Sequence, residues 1–198
     1  MKYILGLTGQ SGAGKSSLHS VAKEQGFLCI DCDKVAHGVL EIPETVDALT
    51  AAFGSGILEN GVLSRKKLAA AAFASKAQTE LLNSITLPRI VNEINRIIEQ
   101  SEKDKILLDA PTLYESGADK LCDGVVAVLS ERESRKKRII ERDNLSGAEA
   151  ELRLSAEKSD EYYISKADKI IYNNGNLAEF QKDFRKTLNE ILGGNNDE

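Results

Sequence analysis

Residues 9–16 read GQSGAGKS, two glycine-bounded turns closing on a lysine and a serine. The spacing is G-x-x-x-x-G-K-[ST] at every position. Glycines there let backbone N–H groups turn inward around phosphate oxygens, while the lysine reaches β- and γ-phosphates and the hydroxyl can ligate Mg²⁺. Gly9, Ser11, Gly12, Ala13, Gly14, Lys15, Ser16 and Ser17 are therefore the residues expected to hold ATP, with Lys15 acting on the transferring group and Ser16 on the metal.

Three further stretches carry chemistry. In FLCIDCDKVAH (27–37) a C-x-x-C overlaps a D-x-D. In an extended chain Cys29 and Cys32 face opposite sides, so they share no metal, whereas Asp31 and Asp33 face one side. Two carboxylates there can divide labour: one takes or orients an acceptor proton, the other holds Mg²⁺ water or caps the following helix. His37, four residues after Asp33, belongs near that acceptor without needing to act. KILLDAP puts Asp109 at a strand end, either as a Mg²⁺ ligand or as an ordinary strand-terminal residue. RESRKKRIIERD (132–143) is a basic helix in which Arg138 and Arg142, four apart, share a face. It reads either as a lid over a phosphoryl group, with Arg138 and Arg142 as its candidates, or as a solvated surface, the reading left open for Arg135 and Lys136. His19 reads as a surface or packing residue, and Glu115 as either an acceptor-side group or a loop cap.

These residues need a scaffold. YILGLT (3–8), FLCI (27–30), KILLD (105–109), GVVAVL (124–129) and KIIY (169–172) are continuously apolar, as strands buried on both faces of a parallel sheet are. Helices are expected between them: 15–25 closed by Gly26, 131–143 with a Ser130/Glu133 capping box, and 147–157 with a Ser146/Glu149 box. Pro88 suits the first turn of a helix reaching about Gln100, and Leu177, Phe180, Phe184, Leu188 and Leu192 mark a last helix over about 177–192. Strand–helix alternation implies an α/β fold, doubly wound around a five-stranded sheet. More than seventy residues between the second and third strands carry only helical patterns, such as SRKKLAAAAFA (64–74), and imply an inserted helical subdomain.

The chain has 198 residues, 41% of them hydrophobic, and a net charge of −5. That acidic balance argues against nucleic acid as a partner. No run approaches the roughly 18 apolar residues of a membrane span. Three cysteines read as thiols of a cytoplasmic chain, and the closing GGNNDE as a frayed tail.

Taken together, GLTGQSGAGKSS, IDCD, NGVLSRKKLAAAAFAS, LDAPTLYESGADKLCD, RIIERDNLS and KADKIIYNNG resemble the dephospho-CoA kinase family over nearly the whole length. The resemblance implies MgATP-dependent phosphorylation of the ribose 3′-hydroxyl of dephospho-CoA, on a P-loop kinase fold. It implies one kinase domain with a core at about 1–33, 104–130 and 167–192, a CoA-binding insertion at about 34–103 and a lid at about 131–166. On it, Asp33 is the base, and Asp31, His37, Arg65, Pro111, Leu113 and Glu115 flank dephospho-CoA. Arg138 and Arg142 cover ATP, and Asn173, Asn174 and Gly175 approach the adenine. Leu87 and Glu157 depart from the family's usual His and Gln. The implied protein is a monomer or weak homo-oligomer. A nucleoside monophosphate kinase fits the insertion and IDCD less well, and a guanine-nucleotide switch would want an N-K-x-D that is absent from the sequence.

Overall fold

The computed structural model describes residues 2–193; the expected polar tail beyond Gly193 lies outside the described residues. In chain order the elements are β1 (Tyr3–Gly9), a 3₁₀ turn (Lys15–Leu18) leading into α1 (His19–Glu24), β2 (Leu28–Asp31), α2 (Cys32–Val39), α3 (Pro43–Phe53), β3 (Leu58–Glu59), β4 (Val62–Leu63), α4 (Arg65–Ala72) and α5 (Lys76–Gln100). There follow β5 (Lys105–Asp109), α6 (Leu113–Ser116), β6 (Gly124–Leu129), α7 (Arg132–Asp143), α8 (Gly147–Ser155), α9 (Asp160–Ile164), β7 (Lys169–Tyr172) and α10 (Leu177–Ile191). Two compact units emerge: one from the residues up to Ile30 with those from Glu102 on, the other Asp31–Ser101.

The first unit is built on a five-stranded sheet in the order β2-β5-β1-β6-β7. β1 lies between β5 and β6 and runs parallel to both, with Leu7 beside Asp109 and Val126. Because both faces are covered, the strands carry no polar alternation. On one face Leu5, Leu7, Leu107, Val126 and Val128 pack with Leu18, Val21, Phe180, Phe184 and Leu188. On the other, Ala127 and Leu129 meet Tyr163 of α9. Each fully buried Leu or Phe contributes roughly 1.5–3 kcal/mol, enough to hold the strand ends that carry the loops. Of the last helix's apolar stripe, Phe180, Phe184 and Leu188 are buried while Leu177, in its first turn, is 55% exposed.

The second unit packs α2, α3 and α4 against the long α5, around Leu49, Ile57 and Leu68. Two local expectations change here. Residues 58–63 form a β-hairpin, not helix: Asn60 and Gly61 both have positive φ (53° and 80°), the pair that a type I′ turn requires. α5 begins twelve residues before Pro88, capped by Ser75, whose Oγ accepts from Gln78 N (3.2 Å). Good helix formers in KAQTELL outweigh the proline. The Arg89 guanidinium then donates to the Ile85 carbonyl (2.7 Å), beside the missing proline N–H.

In the first unit the Ser146/Glu149 capping box is present, and α8 ends at Ser155. The Ser130/Glu133 box is not. α7 starts at Arg132, and Ser130 Oγ instead donates to the Asn173 carbonyl (2.7 Å).

Candidate active site

The glycine-rich loop leaves the C-terminal end of β1 at the point where strand order reverses, the usual place for ligands in such sheets. Gly9 (φ 131°) passes so close to β6 that a Cβ would lie 2.1 Å from the Val128 carbonyl oxygen. Gly14 (φ 100°) opens the 3₁₀ turn, with room for no Cβ beside the Asn173 amide. Behind the loop, Asn173 is buried and its Nδ2 donates to the Ala13 carbonyl (2.7 Å). Arg138 donates to the Gly12 carbonyl (3.2 Å), to Ser130 Oγ (3.1 Å) and to the Asn173 carbonyl (3.2 Å). The Gly12 and Ala13 carbonyls are thus tied backward, while Gln10 N donates to the Val128 carbonyl (3.2 Å) and Ala13 N to the Gln10 carbonyl (3.2 Å). Lys15 Nζ donates to the carbonyls of Gly9 (2.8 Å) and Gln10 (3.2 Å), arched over the loop. Ser17 Oγ donates to the Gly14 carbonyl (2.8 Å), and Ser16 is exposed.

Asp109 ends β5 one strand away. His19 Nε2 donates to its Oδ2 (2.7 Å), while its Oδ1 is buried without a partner among the described residues. An unpartnered buried carboxylate oxygen suits a hard, oxygen-seeking cation or its water, so Ser16 and Asp109 fit Mg²⁺. His19 was expected to be a surface or packing residue. It instead fixes the carboxylate, and its place three residues after Ser16 on the helical path was the available signal.

The basic helix is divided in its uses. Arg135 is 5% accessible, which closes the solvated reading for it: it pairs with Glu157, and its Nε donates to the Ser130 carbonyl (2.9 Å). Lys136 pairs with Glu151 (2.8 Å). Arg142 is exposed and holds Asp143 (2.7 and 2.8 Å), which itself also binds Arg153 (2.6 Å). The Asp143 hydrogen bond raises the Arg142 pKa, and Arg142 holds the Asp143 carboxyl below the usual range.

Downstream of β5, Pro111 and Glu115 are exposed, but Leu113 is fully buried under β1, so it supports the loop and offers a ligand no surface. Tyr114 and Tyr163 are pushed up to about 12, chiefly by burial. Asn174 Oδ1 accepts from Glu131 N (2.9 Å) and Gly175 is exposed.

Asp31, Asp33, His37 and Arg65 belong to the second unit. The strand ends at Asp31, and Cys32 already starts α2. Asp31 is the N-cap: its carboxylate accepts from Lys34 N (3.1 Å) and pairs with Lys34 Nζ (3.2 Å). Asp33 stands in the helix's first turn. The expected one-sided D-x-D therefore does not exist, because residues two apart on a helix do not face each other. Asp33 instead shares its face with His37, four residues on, and both are exposed. Arg65 opens α4 and reaches Glu41 at 3.8 Å. All three cysteines are thiols, and burial raises the pKa of Cys29. Among the described residues no cluster of His, Cys, Asp or Glu could hold a metal by itself.

The sequence profile of the dephospho-CoA kinase family matches residues 3–179. The chain is 38% identical to a dephospho-CoA kinase of Fusobacterium nucleatum over 180 residues, 90% of this chain and 93% of that one. It is 38% identical to the Corynebacterium glutamicum enzyme of the same name over 193 residues, 95% and 96% of the two chains. Its fold matches a crystal structure from Thermus thermophilus (TM-score 0.84, 25% identity, 96% and 98% of the chains). It also matches the dephospho-CoA kinase of Campylobacter jejuni (TM-score 0.69, 30% identity, 98% and 99%).

Proposed function

The chain belongs to the dephospho-CoA kinase family and is a kinase that phosphorylates the ribose 3′-hydroxyl of dephospho-CoA from ATP, the last step of coenzyme A synthesis; from that premise we propose how its own residues share the work. The observation that carries the assignment is the Gly9–Ser17 loop, whose carbonyls are tied backward by Asn173 and Arg138. The remaining loop amides and the following helical turn bind the phosphates of ATP. Lys15 leaves the carbonyls of Gly9 and Gln10 for the β- and γ-phosphate oxygens. Ser16 and Asp109 Oδ1 would hold Mg²⁺, and His19 keeps the other Asp109 oxygen in place. When bound, Mg²⁺ neutralises the charge that builds on the β- and γ-phosphate oxygens.

On the acceptor side, the Asp31–Ser101 unit holds dephospho-CoA. Asp33 accepts the proton of the 3′-hydroxyl, with His37 on the same helix face and Arg65 available for acceptor phosphate. Pro111 and Glu115 flank the acceptor. Arg142 covers the transferring group and must first exchange Asp143 for phosphate oxygens. Asn174 and Gly175 border the adenine. We place the enzyme in the cytoplasm, as a monomer or weak homo-oligomer acting on small molecules away from nucleic acid and membrane. The acidic composition supports this reading, and no described helix is long and apolar enough to cross a membrane.

The test is ADP release with ATP and dephospho-CoA, set against AMP and shikimate as acceptors. No stimulation by dephospho-CoA would overturn the assignment. In the same assay Asp33→Asn should lose roughly 10²–10⁴ in kcat while ATP binding is retained, since proton acceptance is lost and the loop is not. Near-normal turnover would remove Asp33 from the chemistry.

A further inference from the structure

The lip of the phosphate loop, Gln10–Gly12, is not held by backbone alone. Ser11 N donates to Glu157 Oε1 (2.9 Å), and Gln10 Nε2 donates to Asp160 Oδ1 (2.6 Å). Both acceptors come from the segment around the start of α9. Glu157 Oε2 is in turn paired with Arg135 Nη1, and Arg135 is anchored through Nε on the Ser130 carbonyl (2.9 Å). The two side chains are 15% and 6% accessible. The backbone of Arg135 also abuts the loop: a Cβ on Gly12 would lie 2.8 Å from its carbonyl oxygen. Glu157 and Arg135 line a cleft of about 570 Å³ together with Gln10, Ser130 and Asp160.

An anion in this position is paradoxical. The loop is built to attract phosphate, yet a carboxylate is bonded to one of its amides. Held alone, that charge would oppose an entering polyphosphate in a place where water screens it little. Paired with Arg135, it keeps the hydrogen bond to Ser11 and loses most of the repulsion.

Resting on the nucleotide reading of the loop, we propose that Glu157 and Arg135 are a charge-compensated prop: positioning residues that set the loop lip, and whose opposite charges must be present or absent together for normal ATP affinity. Glu157 supplies the acceptor that fixes Ser11, and Arg135 cancels its field toward the phosphates. The pair touches the loop and not the reacting atoms, so its effect falls on nucleotide affinity.

The experiment is calorimetric titration of ATP, and separately of adenosine, into wild type, Arg135→Met, Glu157→Gln and the double variant, with unfolding temperatures recorded for each. Binding of ATP by wild type checks the nucleotide reading independently of the variants. Arg135→Met leaves the carboxylate alone and should weaken ATP about tenfold. Glu157→Gln keeps an oxygen for Ser11 and leaves a cation, so it should tighten ATP by about threefold. The double variant, uncharged at both positions, should match wild type and so bind ATP about threefold more weakly than Glu157→Gln, and adenosine should bind all four proteins alike. Opposite shifts in the two single variants are the signature that a merely structural pair would not produce. If both single variants weaken ATP, or if ATP affinity stays constant while only unfolding temperatures fall, the prop is refuted. Should Arg135→Met fail to fold, the comparison of Glu157→Gln with the double variant decides alone: equal ATP affinity in those two refutes the proposal.

Discussion

Gly14→Ala tests whether the loop is a strained object braced from behind or a turn that tolerates side chains. The residue is left-handed, with φ 100° and ψ 18°, and an alanine there costs about 1–2 kcal/mol. Its Cβ would also stand 2.4 Å from Asn173 Nδ2. Asn173 is 7% exposed and cannot swing into water without surrendering its 2.7 Å bond to the Ala13 carbonyl. Leaving that buried carbonyl unpaired costs about 1–3 kcal/mol more. The sum, about 2–5 kcal/mol, is a large share of the roughly 5–15 kcal/mol of a typical domain. In an Asn173→Ala background the clash and the bond are already gone, so Gly14→Ala should cost only the backbone part, about 1–2 kcal/mol. The expected coupling is therefore about 1–3 kcal/mol, measured by urea unfolding of the four proteins of the cycle. Strict additivity would show that Asn173 does not brace the loop. A cost for Gly14→Ala below about 0.5 kcal/mol would refute the strain as well.

Two further outcomes follow from the same structure. Burial holds the Tyr163 phenol neutral in the folded state up to about 12, whereas the unfolded chain ionises near 10, so its stabilisation is complete below pH 10 and lost as pH rises from 10 to 12. Tyr163→Phe should flatten the alkaline fall in unfolding temperature across that window and leave it unchanged at neutral pH. Arg142→Ala should lower kcat by about 10²–10³ because a cation over the phosphoryl group is lost. The same variant should lower the unfolding temperature only slightly, since Asp143 keeps its pair with Arg153 (2.6 Å); steady-state rates and thermal melts separate the two effects.

The sheet was legible because its central strands are buried on both faces, and KILLD, GVVAVL and KIIY, each with an apolar middle, are strands over those same residues. What failed were signals in which one local rule competed with another. Pro88 alone reads as a helix start, but the formers upstream of it extend α5 by twelve residues. Ser130 and Glu133 have capping-box spacing, but the Ser130 hydroxyl has a tertiary partner in Asn173, which no spacing rule sees. The Asn60-Gly61 turn was visible, yet two-residue strands give too little alternation to announce themselves.

The candidate site divides along the same line. The loop is a contiguous motif whose chemistry is set by spacing, so its residues could be named from sequence alone. The groups that hold the loop come from far along the chain: Asn173, Arg138 and Glu157 reach it across 160, 126 and 146 residues of sequence. The basic helix shows why such roles are hidden. Arg135, Arg138 and Arg142 look alike in RESRKKRIIERD. Arg135 is buried with Glu157, Arg138 is bonded to Gly12, and Arg142, exposed at the helix end, is bonded to the half-buried Asp143. An arginine held by two or more protein carbonyls or by a buried carboxylate would lose those bonds on turning to a substrate. Arg142 gives up only its bonds to Asp143, whose carboxylate keeps Arg153 as a partner. That difference in cost supports the proposal that Arg142, of the three, is the one that moves onto a transferring phosphoryl group.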